Sequence, residues 1–137
     1  QRIFADRRDI TYATQLKQVV ERETGQLALE AFWAVNHCGG FDDVFAAKTI
    51  AHENPFVRYW TVRLLGDRGR VSAPVQKQLV ASARMEANAE VRGQMASTAK
   101  RIPAGDAIPV IRELLLHDED VNDKHIPLLL WWSIESK

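Results

Sequence analysis

Apolar residues recur along this chain at spacings of three and four, the period of a helix with one buried face. Tyr12, Leu16, Val19 and Glu23 fall on one face, with Val20 beside them. A second stripe runs Leu27, Ala31, Val35 and Cys38, widened by Ala28 and Phe32. The spacing returns as Val57, Trp60 and Leu64, as Val71, Val75 and Leu79, as Val91, Met95, Ala99 and Ile102, and as Ile108, Ile111 and Leu115. No segment alternates apolar and polar residues as a half-buried strand does. The pattern predicts eight helices at about 12–24, 26–38, 41–51, 55–65, 72–86, 89–101, 105–116 and 125–135, each end good to about 2–4 residues.

The punctuation fits these bounds. Gly25, Gly39-Gly40, Gly66 and Gly69 stand where helices should stop, because glycine takes a left-handed C-terminal conformation cheaply. Asn54-Pro55 places a capping side chain before a proline at the first helical position. Pro103 follows the sixth helix, and Pro74, Pro109 and Pro127 are expected in the first turns of the fifth, seventh and eighth, where a missing N–H is tolerated. Short connections imply antiparallel neighbours, paired into four hairpins. The more aromatic or apolar second helices open with Leu27, Val57, Val91 and Leu128. If Trp60 is buried, Trp60→Ala should cost about 3–5 kcal/mol through lost transfer energy and a cavity.

The chain also repeats itself. Leu29-Glu-Ala-Phe-Trp-Ala-Val-Asn-His-Cys-Gly39 echoes Phe56-Val-Arg-Tyr-Trp-Thr-Val-Arg-Leu-Leu-Gly66, with Trp33 matching Trp60. Val57-Arg58 recurs 34 positions on as Val91-Arg92, and Trp131-Trp132 closes a more diverged copy. Offsets near 30 that are not constant suit stacked helix pairs with variable turns. The expected fold is all-α, an α-solenoid of about four helical hairpins forming one domain over residues 1–137, excised from a longer chain.

Composition narrows function mainly by exclusion. With 137 residues, 46% hydrophobic and 26% charged, the chain is an ordinary globular domain. Eighteen basic residues balance eighteen acidic ones, so no net field draws nucleic acid or an anionic membrane. The longest apolar run, 126–132, is too short to span a bilayer, so no membrane insertion by this segment is expected. Cys38 is the single cysteine, which permits neither an internal disulfide nor a cysteine metal site. It falls on an apolar stripe and is expected to be a small buried hydrophobe, turned about 100° from its neighbour His37.

The turns Asn54-Pro55-x-Val57-Arg58 and Asn88-Ala89-x-Val91-Arg92 resemble the inter-helix turn of HEAT repeats. In that family a polar turn residue and an early arginine of the second helix often pair between neighbouring repeats. The repeat motif here is thus Asn54, Pro55, Val57, Arg58, Trp60, Val91 and Arg92; Leu29-Glu30 and Leu128-Leu129 stand where Val-Arg would be in the outer units. A narrower resemblance runs from about Gly25 to the end. The strings Gly39-Gly-Phe-Asp-Asp43, Val57-Arg-Tyr-Trp-Thr-Val-Arg-Leu-Leu-Gly-Asp67, Ala96-Ser-Thr-Ala-Lys-Arg101 and His125-Ile-Pro-Leu-Leu-Leu-Trp-Trp132 look like the HEAT-repeat segment of large planctomycete and verrucomicrobial proteins classed as membrane-bound dehydrogenases. Those proteins typically join a β-propeller, a HEAT segment and a c-type haem domain. The resemblance implies a non-catalytic scaffold or protein-interaction segment of an exported, periplasmic oxidoreductase. Its partners would be neighbouring domains of the parent chain or another protein. No Cys-x-x-Cys-His occurs here, so no haem or other cofactor is expected in this segment.

Other constellations are thin. His52-Glu53 is the only His-Glu dipeptide, whereas a di-iron centre of HEAT-type hydroxylases needs several converging pairs. A chromophore lyase of HEAT-like type is a further reading without a site residue to carry it. Asp118, Asp120 and Asn122 alternate as in a calcium loop, but Asp123 stands at the required glycine and Leu129 at the bidentate glutamate. A solvated loop capping the eighth helix is expected there instead. His117 and His125 are expected at the surface or as caps. Arg58, Arg63, Arg68, Arg70, Arg92 and Arg101 are expected to pair within the molecule. No catalytic or metal-binding residue is assigned. Trp131 and Trp132 cannot both point into one neighbour, so one is expected to pack inward and the other to form a contact surface.

Overall fold

The computed structural model describes residues 12–137; residues 1–11, counted above in the single domain, lie outside the described part. Eight α-helices occur there: α1 Ala13–Arg22, α2 Gln26–His37, α3 Asp43–Thr49, α4 Pro55–Arg68, α5 Ala73–Met85, α6 Ala89–Arg101, α7 Ala104–Leu114 and α8 Ile126–Glu135. A 3-10 turn, Asp118–Asp120, precedes α8, and no strand is found among the described residues.

Local chemistry sets the helix starts. Asp42 accepts the Phe45 N–H at the head of α3, Asn54 the Phe56 N–H at α4, and Asn88 the Val91 N–H at α6. Asp123 accepts the N–H groups of both His125 and Ile126 ahead of α8. The stops differ from expectation at two points. Gly25 stands at the start of α2 rather than at the stop of α1, which ends at Arg22 with Glu23 as its extended cap. Gly66 lies inside α4, which continues to Arg68, and Gly69 ends it in the left-handed region at φ 69°. Pro109 likewise sits inside α7 rather than in its first turn, because that helix opens at Ala104.

The second helices touch in order, α2 to α4 to α6 to α8, and the first helices α3, α5 and α7 touch in order beside them. One apolar core runs through the stack, from Phe32 and Phe45 through Leu65 and Leu79 to Met95 and Leu114. Cys38 is fully buried in it.

Several inward faces are turned from those expected. In α4 the buried positions are Val57, Thr61, Val62 and Leu65, while Trp60 and Leu64 are only half-buried against them. In α7, Ala107, Val110, Ile111 and Leu114 point inward, and Ile108 and Leu115 are exposed. Leu27, Leu128 and Tyr12 are exposed as well, with Ala28, Ile126 and Ala13 buried in their places. The cause is the stack itself. A helix flanked by neighbours on two sides carries apolar residues over more than one stripe, and pattern alone does not choose the centre of the buried arc.

Candidate interaction surface

The repeat motif forms seams. Arg58, early in α4, grips Glu86 in the turn before α6 with two parallel hydrogen bonds of 2.7 Å, and its remaining nitrogen donates to the carbonyls of His52 and Glu53. Arg92, early in α6, repeats this one unit on. It grips Asp120 at 2.6 and 2.5 Å and donates to the Glu86 carbonyl. Both carboxylates are buried, so each needs a fixed cation, and the guanidinium fork supplies two donors at carboxylate geometry. The hydrogen bonds and charge of Asp120 raise the Arg92 pKa further, burial opposing. Deeper in the seams a hydroxyl reaches the preceding second helix. Thr98 donates to the Val62 carbonyl at 2.9 Å, and Ser133 to the Ala96 carbonyl at 2.6 Å.

Glu86, Thr98 and Ser133 were not singled out in the sequence, and Asp120 was read only as part of a calcium-like loop, although a signal for the seams was present. Glu86 and Asp120 are 34 positions apart, the same offset as Arg58 to Arg92 and Val62 to Ala96. The outer units align differently from the sequence reading. By burial, Ile126-Pro127 rather than Leu128-Leu129 takes the place of Val91-Arg92, and in α2 Ala31, Phe32 and Val35 match Thr61, Val62 and Leu65, which leaves no arginine at the place of Arg58. Among the described residues the guanidinium link is therefore absent at both outer units.

Two histidines, His52 and His117, reach helix-end carbonyls. His52 donates from Nε2 to the Val20 carbonyl in the last turn of α1, its Nδ1 accepting the Asn54 N–H. His117 reaches the Ala83 carbonyl in the last turn of α5. His125 is exposed beside the Asp123 cap. The acidic run is not simply a solvated loop: Asp120 is buried under Arg92, and Asp123 caps α8. No cluster of three or more His, Cys, Asp or Glu side chains suited to a metal occurs among the described residues. Arg68 pairs with Asp43 and Arg101 with Asp67, while Arg63 lies over the Trp60 ring, 5.0 Å from its centre.

Neither terminal tryptophan packs inward. Trp131 is 61% exposed and Trp132 43%, the latter 5.5 Å below the Lys100 ammonium. Both lie on α8, whose buried side is Ile126, Leu130 and Ser133. Between α7, the 3-10 turn and α8 opens an apolar groove of about 290 Å³, lined by Leu115, Val121, Pro127, Leu130, Trp131 and Ile134 among others. A second, more polar groove of about 480 Å³ crosses α6, where Gly93 and Ser97 keep the floor low between Tyr59 and Leu129. Along the second helices Trp33 meets Trp60 edge-on, their ring centres 4.4 Å apart.

No helix among the described residues is long and apolar enough to cross a membrane. Comparison with protein-family models, with curated proteins and with solved structures finds no match to this chain.

Proposed function

We propose that this chain is an α-solenoid of four HEAT-like hairpins serving as a non-catalytic scaffold, a segment that spaces and docks other protein domains. The observation that supports it is the repetition of two links at successive seams. The guanidinium–carboxylate pairs Arg58–Glu86 and Arg92–Asp120 recur with the hydroxyl–carbonyl links Thr98–Val62 and Ser133–Ala96. Equivalent links recurring at 34 or 35 positions make each unit bind its neighbour in a similar way, so stiffness comes from nearest-neighbour packing along the stack. A rod of this kind works through geometry and needs no reactive group.

The owner of the scaffold is read from the string resemblance: an exported oxidoreductase that passes electrons from a sugar or alcohol to c-type haem. Reading the coding sequence on both sides of the chain tests this. An upstream strand-rich repeat region with a downstream Cys-x-x-Cys-His makes the chain the connecting piece of such a protein. Only further helical hairpins on either side would overturn the redox context and leave a free-standing protein-binding solenoid. The exposed apolar groove beside Trp131 favours that second reading.

A further inference from the structure

We propose that the groove between α4, α6 and α8 is a docking site for an arginine side chain presented by an exposed segment of a partner protein. This rests on the scaffold reading and deepens it by naming what one docked partner carries. The groove has a volume of about 480 Å³. Its walls come from three consecutive second helices, and its floor is the part of α6 that holds Gly93, Gln94 and Ser97.

The groove is lined by acceptors. Glu90 lies in the first turn of α6, and its carboxylate has no hydrogen-bond or ion-pair partner among the described residues. Asp123, ahead of α8, uses Oδ1 for the His125 and Ile126 N–H groups and keeps Oδ2 uncommitted. Those N–H groups hold its pKa below the usual carboxylate value, so it is ionised at neutral pH. On the floor, Gln94 is 7% exposed and its amide orientation is fixed. Thr98 gives its hydroxyl hydrogen to the Val62 carbonyl, so towards Gln94 it can only accept, and Gln94 Nε2 donates to it at 3.2 Å. The Gln94 amide oxygen accepts no hydrogen bond among the described residues and is left for the groove.

No lysine or arginine lines the groove to neutralise the two carboxylates, so its complement is a cationic donor. A guanidinium carries five N–H groups in a planar fork that reaches several acceptors at once, and its face stacks on rings such as that of Tyr59; an ammonium is a point charge. Tyr59, Ile126 and Leu129 give apolar contact to the methylene stem, and the bare Gly93 leaves room beneath it. A free amino acid would carry its own carboxylate towards Glu90 and Asp123, which like charge opposes. An arginine within a polypeptide carries none.

Amide NMR of the full isotope-labelled chain, titrated with acetyl-Ala-Arg-Ala-amide, tests the proposal. The Gly93, Ser97 and Leu129 amides should shift saturably, with a dissociation constant on the order of 1 mM. The citrulline peptide, which keeps the shape without the charge, should bind about tenfold more weakly, and the lysine peptide about threefold. Glu90→Gln and Asp123→Asn, the latter keeping the cap acceptor, should each weaken binding about threefold or more. Glu53→Gln, at an exposed carboxylate outside the groove, should leave it unchanged. No saturable shift at these amides, equal binding of the citrulline or lysine peptide, the same shifts from calcium chloride alone, or equal loss with Glu53→Gln would each overturn the proposal. None of these outcomes touches the scaffold reading, which the flanking coding sequence decides.

Discussion

The Arg92 guanidinium grips the Asp120 carboxylate through two hydrogen bonds, 2.6 and 2.5 Å, across 28 residues of chain, with the Arg92 side chain 3% exposed. Removing one partner of such a pair leaves a buried charge without compensation. Asp120→Leu should therefore cost about 3–5 kcal/mol, whereas the double replacement Arg92→Met with Asp120→Leu should recover most of that loss. Urea denaturation of the two single variants and the double variant provides the cycle. Additive losses would mean that the two side chains do not act as a pair.

The inward face of α4 can be tested one residue at a time. Leu65 is fully buried and Leu64 only partly so. Leu65→Ala should cost about 2–5 kcal/mol, and Leu64→Ala clearly less. Trp60→Ala should fall below the roughly 3–5 kcal/mol of a buried aromatic, because the ring is only partly buried, with the exposed Arg63 side chain lying over it. Denaturation midpoints in the reverse order would place the core on the other stripe.

Two helical glycines should respond in opposite directions. A Cβ on Gly66 would lie 2.9 Å from the Thr98 hydroxyl and 2.8 Å from the Arg101 guanidinium, whose flexible tip can move while Thr98, bonded to Val62, cannot. Gly66→Ala should thus destabilise by about 1–3 kcal/mol through overpacking. On Gly93 the nearest atom would be Ile126 Cγ1 at 3.7 Å, an ordinary contact. Gly93→Ala should stabilise by about 0.5–1 kcal/mol through lower chain entropy in the unfolded state. Thermal melts of both variants decide.

Acid should loosen the fold through its capping carboxylates. At Asp42 burial pushes the pKa up, but hydrogen bonds from Lys17 and the Phe45 N–H, with the charges of Lys17 and Arg68, outweigh it and leave the group below its usual value. Asp123 is lowered by the Ile126 and His125 N–H groups. A carboxyl lowered by folding binds fewer protons in the folded state. Its contribution is complete above the unfolded pKa, near 4, and drains as pH falls through the folded value. Urea midpoints should hold steady from pH 7 to 5 on account of these groups and drop below pH 4. Asp42→Asn, which keeps the cap acceptor without the charge, should flatten that drop; an unchanged slope would remove Asp42 from the account.

The helices and their starts were legible in the sequence because they depend on neighbours within a turn. Asn54, Asn88 and Pro55 act on N–H groups two or three residues away, and the three-and-four spacing of apolar residues is a property of each segment alone. The 34-residue offset of Arg58 and Arg92 was equally visible, as repetition needs no structure to be counted. The candidate surface was legible only in outline. Trp131 and Trp132 stood out as a pair, but that neither is buried depends on Leu130 and Ser133 taking the inward side of α8.

The sequence by itself determined an all-helical chain, the approximate bounds of its helices, the Asn54 cap of α4 and the burial of Cys38. Only the tertiary structure decided which arc of each stripe turns inward, that Glu86 and Asp120 receive the two arginines, that α4 runs through Gly66, and that an apolar groove opens beside Trp131. The physical reason is range. Helix formation and capping are settled by hydrogen bonds inside one or two turns, whereas the buried arc is set by neighbouring helices and the partner of each guanidinium lies 28 residues away, contacts that exist only once the helices have docked.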